Sequence, residues 1–157
     1  MLTSEDVREA VDEYGDMLYR ICIVMLKNTA DAEDAVQDTY IRYMLSSPPF
    51  NDNEHKKAWL ITVATNKCRD MLRFRKRHIT ESDEFLKDYP MDSESSGILE
   101  ALTEIPEKFR IVLSLHYIEG YKVEEISKML SKTVSAIKMR LSKGRKLLED
   151  KYRKEFM

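Results

Sequence analysis

Val123-Glu124-Glu125-Ile126-Ser127-Lys128-Met129-Leu130, then Ser131-Lys132-Thr133, then Val134-Ser135-Ala136-Ile137-Lys138-Met139-Arg140-Leu141 reads as a short helix, a tight break and the start of a longer basic helix. With a supporting helix upstream this is the helix-turn-helix pattern. Its apolar residues fall at helical spacing, so Ile126, Met129 and Leu130 are expected to face Ile137 and Leu141 and set the angle between the two helices. Ser135, Lys138, Met139, Ser142 and Lys143 then point outward, where a DNA major groove can receive them. Any three-helix module can imitate this pattern. The cations that follow, from Lys138 and Arg140 to Lys151, Arg153 and Lys154, strengthen the nucleic-acid reading, because phosphate neutralisation supplies most of the affinity.

Upstream, Phe109, Ile111, Val112, Leu115 and Tyr117 form the supporting helix. Pro106 is placed in its first turn, where a missing N–H costs nothing, and it is expected to stop near Gly120, a left-handed terminator. Ile98, Leu99, Leu102 and Ile105 give a further helical segment before it. From His78 to about Ser96 the periodicity fails. Serines, acids and Pro90 replace it, which reads as a flexible, self-repelling acidic linker.

The N-terminal part is again helical. Val7, Val11, Tyr14, Leu18, Ile21 and Met25 recur at spacings of three and four, giving a helix from about Ser4 to Asn28 with one core face. A second helix, with Asp31 as its expected cap, runs to Ser46-Ser47-Pro48-Pro49, where proline forbids continuation. A third runs from about Asn53 to Arg77, with Trp59, Leu60, Val63, Ala64, Cys68, Met71 and Leu72 on its apolar face. With only four glycines and four prolines in 157 residues and no alternating apolar runs, the fold class is all-α. It is expected as two small helical domains joined by the acidic linker, the C-terminal one a helix-turn-helix.

Charge is segregated along this chain. Its formal net charge is −2, yet Lys67, Arg69, Arg73, Arg75, Lys76 and Arg77 face only Asp70 at the end of the third helix, and the second basic stretch follows Lys138. The two stretches point to two separate nucleic-acid contacts.

Other classes find little support. The longest apolar run, Ile21 to Leu26, is far short of the roughly 20 residues of a membrane helix, so no direct membrane insertion is expected. The N-terminus lacks a cationic start and an apolar core, and Cys22 and Cys68 have no C-x-x-C partner, so an intracellular, cytoplasmic location with reduced thiols is expected. His55, His78 and His116 are scattered, no glycine-rich phosphate loop or nucleophile elbow is present, and Asn51-Asp52-Asn53-Glu54 lacks the glycine and terminal glutamate of a calcium loop. No catalytic residues, metals or cofactors are expected.

Three blocks together resemble the bacterial sigma-factor family, specifically its small two-domain extracytoplasmic-function group. The first is Asp31-Ala32-Glu33-Asp34-Ala35-Val36-Gln37-Asp38-Thr39-Tyr40. The second is Trp59-Leu60-Ile61-Thr62-Val63-Ala64-Thr65-Asn66 with Arg69-Asp70-Met71-Leu72-Arg73. The third runs from Leu102-Thr103-Glu104-Ile105-Pro106-Glu107-Lys108 through Tyr117-Ile118-Glu119-Gly120-Tyr121 to Ile137-Lys138-Met139-Arg140-Leu141. The resemblance implies a dissociable subunit that directs core RNA polymerase to promoter DNA, with region 2 over residues 1–77, a linker over 78–96 and region 4 over 97–157.

By the same resemblance, Asp34, Gln37 and Asp38, which share one helix face, dock on polymerase. Asn66, Arg69, Asp70 and Arg73 read and open the minus-10 element. Phe50, Asn51 and Asp52 in the preceding loop hold a flipped base, although a loop phenylalanine also serves as a hydrophobic plug. Ser135, Lys138, Met139, Arg140, Ser142 and Lys143 bind the minus-35 element, and an anti-sigma factor is an implied partner.

The chain departs from the family at Ser131, where the turn usually has glycine, at Lys122, where a hydroxyl residue usually caps, and at Met139, where a small polar residue is common. An autonomous helix-turn-helix regulator explains the C-terminal part but leaves the Asp34, Gln37, Asp38 face and the first basic stretch without a role.

Overall fold

The computed structural model describes residues 2–77, 97 and 100–156. It divides into two compact units, Met1–Ser82 and Asp83–Met157. The linker expected over 78–96 and the apolar pair Ile98 and Leu99 lie outside the described residues. No strand occurs among the described residues.

In the N-terminal unit, α1 (Ser4–Leu26), α2 (Thr29–Ser46) and α3 (Asn53–Arg77) pack on one another. Thr3 and Asp6 open α1 with a reciprocal capping box, each side chain satisfying a donor that the first turn leaves orphaned. The core face of α1 starts later than its periodicity implies. Val11 is exposed, whereas Ala10, Tyr14, Met17 and every residue from Ile21 to Leu26 are buried. The helix end is therefore enclosed on all sides.

Lys27 takes a left-handed conformation, φ 56°, and turns the chain into α2. Asn28, not Asp31, caps that helix: its Oδ1 accepts from the Asp31 N–H at 2.8 Å. Asp31 lies in the first turn, where a carboxylate complements the helix dipole. On α3 the buried residues are Leu60, Ile61, Ala64, Thr65 and Cys68; Trp59, Val63, Met71 and Leu72 are only half-buried.

In the C-terminal unit, residues 100–103 form a helical turn. Pro106 caps α4 (Glu107–Leu113) from just outside it, one position earlier than expected. Its helix does not continue regularly to Gly120. Ser114–Ile118 is wound as a π-helix, closed by the Glu119 N–H on the Ser114 carbonyl at 3.0 Å. His116 Nδ1 and the Tyr121 carbonyl, 2.8 Å apart, tie the wide turn to the chain beyond it. All residues from Phe109 to Leu115 are buried, so α4 is the central helix of its unit and the wider turn rotates Tyr117 and Ile118 outward.

The helix-turn-helix forms as its pattern predicts. Ile126, Met129 and Leu130 of α5 (Val123–Leu130) and Ile137 and Leu141 of α6 (Val134–Phe156) are buried. Lys122 has no acceptor for the first turn, yet Glu125 accepts from the Lys122 N–H at 2.9 Å, leaving half of a capping box. Gly144 lets α6 lie close on α4. A Cβ there would sit 3.2 Å from Phe109 Cβ and Leu113 Cδ1.

Ser131 occupies the turn in the left-handed region, φ 55°, ψ 47°. The conformation costs a side-chain-bearing residue about 1–2 kcal/mol, of which glycine's extra freedom in the unfolded chain returns about 0.5–1. Ser131→Gly is accordingly expected to stabilise the C-terminal unit by about 0.5–1 kcal/mol. Chemical denaturation followed by circular dichroism measures this, and a lower midpoint would show that the serine suits the turn.

Candidate nucleic-acid interface

Thr133 starts α6, its Oγ1 accepting from the Ala136 N–H at 3.0 Å. With Ile137, Leu141 and Gly144 turned inward, Ser135, Lys138, Met139, Ser142 and Lys143 are all exposed. Arg140 differs from its neighbours. It is half-buried at the side of the helix rather than on the outward face. Lys143 Nζ stands 5.8 Å from the centre of the Phe109 ring, which steadies its stem against α4 and leaves its head in solvent. Beside this helix lies an apolar hollow of about 240 Å³ lined by Leu102, Leu113, Tyr117, Ile118, Arg145 and Leu148. Arg145 donates to the Tyr117 hydroxyl at its edge, 2.9 Å.

The first basic stretch is less uniform than its charge implies. Asn66, Asp70 and Arg73 are exposed and Arg69 half-buried on α3, and Arg73 Nη1 pairs with Asp70 at 2.8 Å. Arg75 points elsewhere. Its guanidinium donates to the Leu26 carbonyl and to the Asp31 carboxylate, bracing the end of α3 against the α1–α2 corner. Lys67 bonds Asp38 at 2.9 Å, and that hydrogen bond raises its pKa above the ordinary lysine value. Arg75 and Lys67 are thus engaged within the protein, whereas Arg73, Lys76 and Arg77 present charge to solvent.

On α2 the structure divides the acidic set. Asp34 and Gln37 are exposed, and Asp38 is half-buried against Lys67. Their stripe continues at helical spacing into Ile41 and Leu45, which are 47% and 73% exposed. This apolar extension escaped sequence reasoning, although the intervals of three and four from Asp34 through Leu45 carry it. A groove of about 440 Å³ runs beside it, lined by residues of α2 (among them Asp38, Ile41 and Leu45) and of α3 (Val63, Asn66, Lys67 and Asp70). Of the polar α2 set only Asp38 lines this groove, together with Asn66 and Asp70 of α3.

The loop between these helices is internally bonded. Phe50 stacks on Tyr43 (centroids 6.4 Å, 22° between planes) and meets Trp59 edge-on at 5.8 Å. It plugs the end of the α2–α3 pair. Asp52 Oδ1 accepts from the His55 N–H at 2.8 Å, capping α3, and the Asn51 N–H donates to His55 Nδ1 at 3.2 Å. Asn51 keeps its side chain exposed. Trp59 is half-buried in this aromatic cluster rather than fully in the core.

Among the described residues, no helix is long and apolar enough to cross a membrane. Cys22 and Cys68 are both buried, and neither is in a disulfide.

Comparison with known proteins meets this geometry in both units. The model of Sigma-70 region 2 matches residues 10–78, and that of Sigma-70, region 4 matches residues 96–148. The ECF RNA polymerase sigma factor SigW of Bacillus subtilis is 29% identical over 92% of this chain and 88% of its own. RNA polymerase sigma factor SigV of the same organism is 26% identical over 92% and 90%. Among solved structures, the sigma factor RpoE from Bartonella quintana, crystallised with the anti-sigma factor NepR, has a TM-score of 0.79 at 21% identity, covering 96% of this chain and 99% of that one. That last likeness speaks for the fold. The two region models in their order, and relatives matched nearly end to end, place this chain in the extracytoplasmic-function group of the sigma-70 family.

Proposed function

We infer that the chain is a promoter-specificity subunit that binds core RNA polymerase and directs transcription initiation, region 2 spanning residues 1–77 and region 4 residues 97–157. The observation that carries this reading is the pairing of a solvent-facing basic helix in each unit with the region 2 and region 4 matches in their family order. Catalysis stays with the polymerase. The work of this chain is recognition and strand opening in the cytoplasm, where polymerase and promoter are found.

The acidic start of the α2 stripe, Asp34, Gln37 and Asp38, supplies polar contacts to polymerase, and Ile41 and Leu45 supply the apolar surface that such a contact needs at its centre. Asn66, Arg69, Asp70 and Arg73 of α3 contact the minus-10 element, with Asn51 available to a base edge. Phe50 reaches a base only by leaving Tyr43 and Trp59, and Asp52 only by uncapping α3. Their part in base capture therefore requires the loop to open. Ser135, Lys138, Met139, Ser142 and Lys143 enter the groove at the minus-35 element, with Arg140 at its edge. An anti-sigma factor is a partner in this reading, by analogy with the complex of RpoE and NepR.

The test is retention of sigma-free core polymerase by the full chain, beside an Asp34→Ala/Gln37→Ala/Asp38→Ala variant. The wild type should bind stoichiometrically and the variant weakly. Losing the half-exposed Lys67–Asp38 pair costs no more than about 1 kcal/mol, so a folded variant is expected and its melting curve verifies it. No retention of the wild-type chain would transfer the assignment to an autonomous DNA-binding regulator.

A further inference from the structure

The outward crest of α6 is built for one kind of base contact. Met139 lies two residues after Ile137 and two before Leu141, both buried. At about 100° per residue it stands roughly 200° round from each, diametrically opposite the core. Its neighbours along the crest are Ser135, four residues earlier, and Ser142, three later. Lys138, about 100° round to one side of Met139, and Lys143, about 40° to the other, can neutralise the phosphates on the two sides of a major groove. Met139 is 64% exposed and is the largest side chain at the centre of this face.

No arginine, asparagine or glutamine stands on that crest, and the two lysines beside Met139, which can also grip guanine, are assigned to the phosphates on either side. The serines are short and give single hydrogen bonds. A thioether donates no hydrogen bond and accepts only weakly. Against the polar edges of guanine, adenine or cytosine it would remove water from those groups without replacing the lost bonds. One base presents an apolar group in the major groove, the C5-methyl of thymine.

Resting on the reading of α6 as the minus-35 recognition helix, we propose that Met139 is a specificity-determining residue that reads a thymine methyl group in the minus-35 element. The apolar contact sets the preferred base at that step, and the flanking lysines hold the helix in register.

Replacing thymidine by deoxyuridine removes only the methyl group, so it tests this contact directly. Full-length chain with core polymerase would initiate on a promoter recovered from a library randomised at the minus-35 element, with each thymine of that element changed to uracil in turn. One position should weaken initiation complexes of the wild-type chain about fourfold, the value of one buried methyl-sized group. Met139→Ala should bind more weakly and lose the discrimination at that position alone, and Met139→Leu, equally apolar, should keep it.

Equal sensitivity of wild type and Met139→Ala at every thymine would overturn the proposal, as would a selected element with no methyl-sensitive position. Failure of the wild type to initiate on any template would overturn the sigma-factor reading and the contact with it. Initiation without methyl discrimination overturns the contact alone.

Discussion

Arg110→Ala should destabilise the C-terminal unit by about 2–4 kcal/mol, the cost of leaving two buried carbonyls without their charged donor. The side chain is only 5% exposed. Its Nη1 donates to the Ile105 carbonyl at 2.9 Å and reaches the Thr103 carbonyl at 3.3 Å. Those carbonyls lie where the helical turn at 100–103 gives way to α4, and Pro106 has no N–H with which to serve a carbonyl there. The guanidinium therefore acts as the missing donor and joins two helical segments whose backbones cannot bond each other. Alanine strands the carbonyls and leaves a cavity inside the unit that carries α6.

Trp59, the chain's one tryptophan, lies in the N-terminal unit and separates the readouts. Arg110→Ala should lower the circular-dichroism transition of the C-terminal unit by about 8 °C or more and leave the Trp59 fluorescence transition in place. Arg110→Lys should recover only part of the loss, because one ammonium cannot reproduce the guanidinium fork. A shift of a degree or two in Arg110→Ala would remove this network from the account of stability.

What the sequence made legible was local. The ends of α3, the apolar faces of α5 and α6 and the break between them follow from periodicity, proline and capping chemistry, all of which act over a few residues. The helix-turn-helix and both solvent-facing basic helices were readable for the same reason. Partners separated along the chain were not. Arg75 and Lys67 looked like phosphate-binding cations, because charge in a sequence carries no direction. Arg75 instead meets Leu26 and Asp31, 49 and 44 residues away, and Lys67 turns to Asp38.

Phe50 and Asp52 are comparable cases. Each has chemistry suited to a base, and each is held by a neighbour, Phe50 by aromatic packing and Asp52 by the first turn of α3. The π-wound segment after α4 escaped because its residues have ordinary helical periodicity. The backbone bond from the Glu119 N–H to the Ser114 carbonyl, five residues back, is what distinguishes it.

Arg75→Ala should cost the N-terminal unit about 2–4 kcal/mol, the larger share of what two charge-assisted hydrogen bonds contribute when one partner is lost. The side chain is 21% exposed. The Leu26 carbonyl belongs to the last turn of α1, where no intrahelical donor remains, and Asp31 stands in the first turn of α2. One guanidinium thus satisfies an orphan acceptor and a carboxylate at the corner where α1 and α2 meet, and it fixes the end of α3 to both. Arg73→Ala is the matched control. Its pair with Asp70 has side chains 66% and 67% exposed, and an exposed pair of that kind contributes at most about 1 kcal/mol. Trp59 fluorescence in a denaturant series should show a much lower midpoint for Arg75→Ala and a nearly unchanged one for Arg73→Ala. Equal, small shifts in both would return Arg75 to the exposed cations of α3 and leave the α1–α2 corner to be held by apolar packing alone.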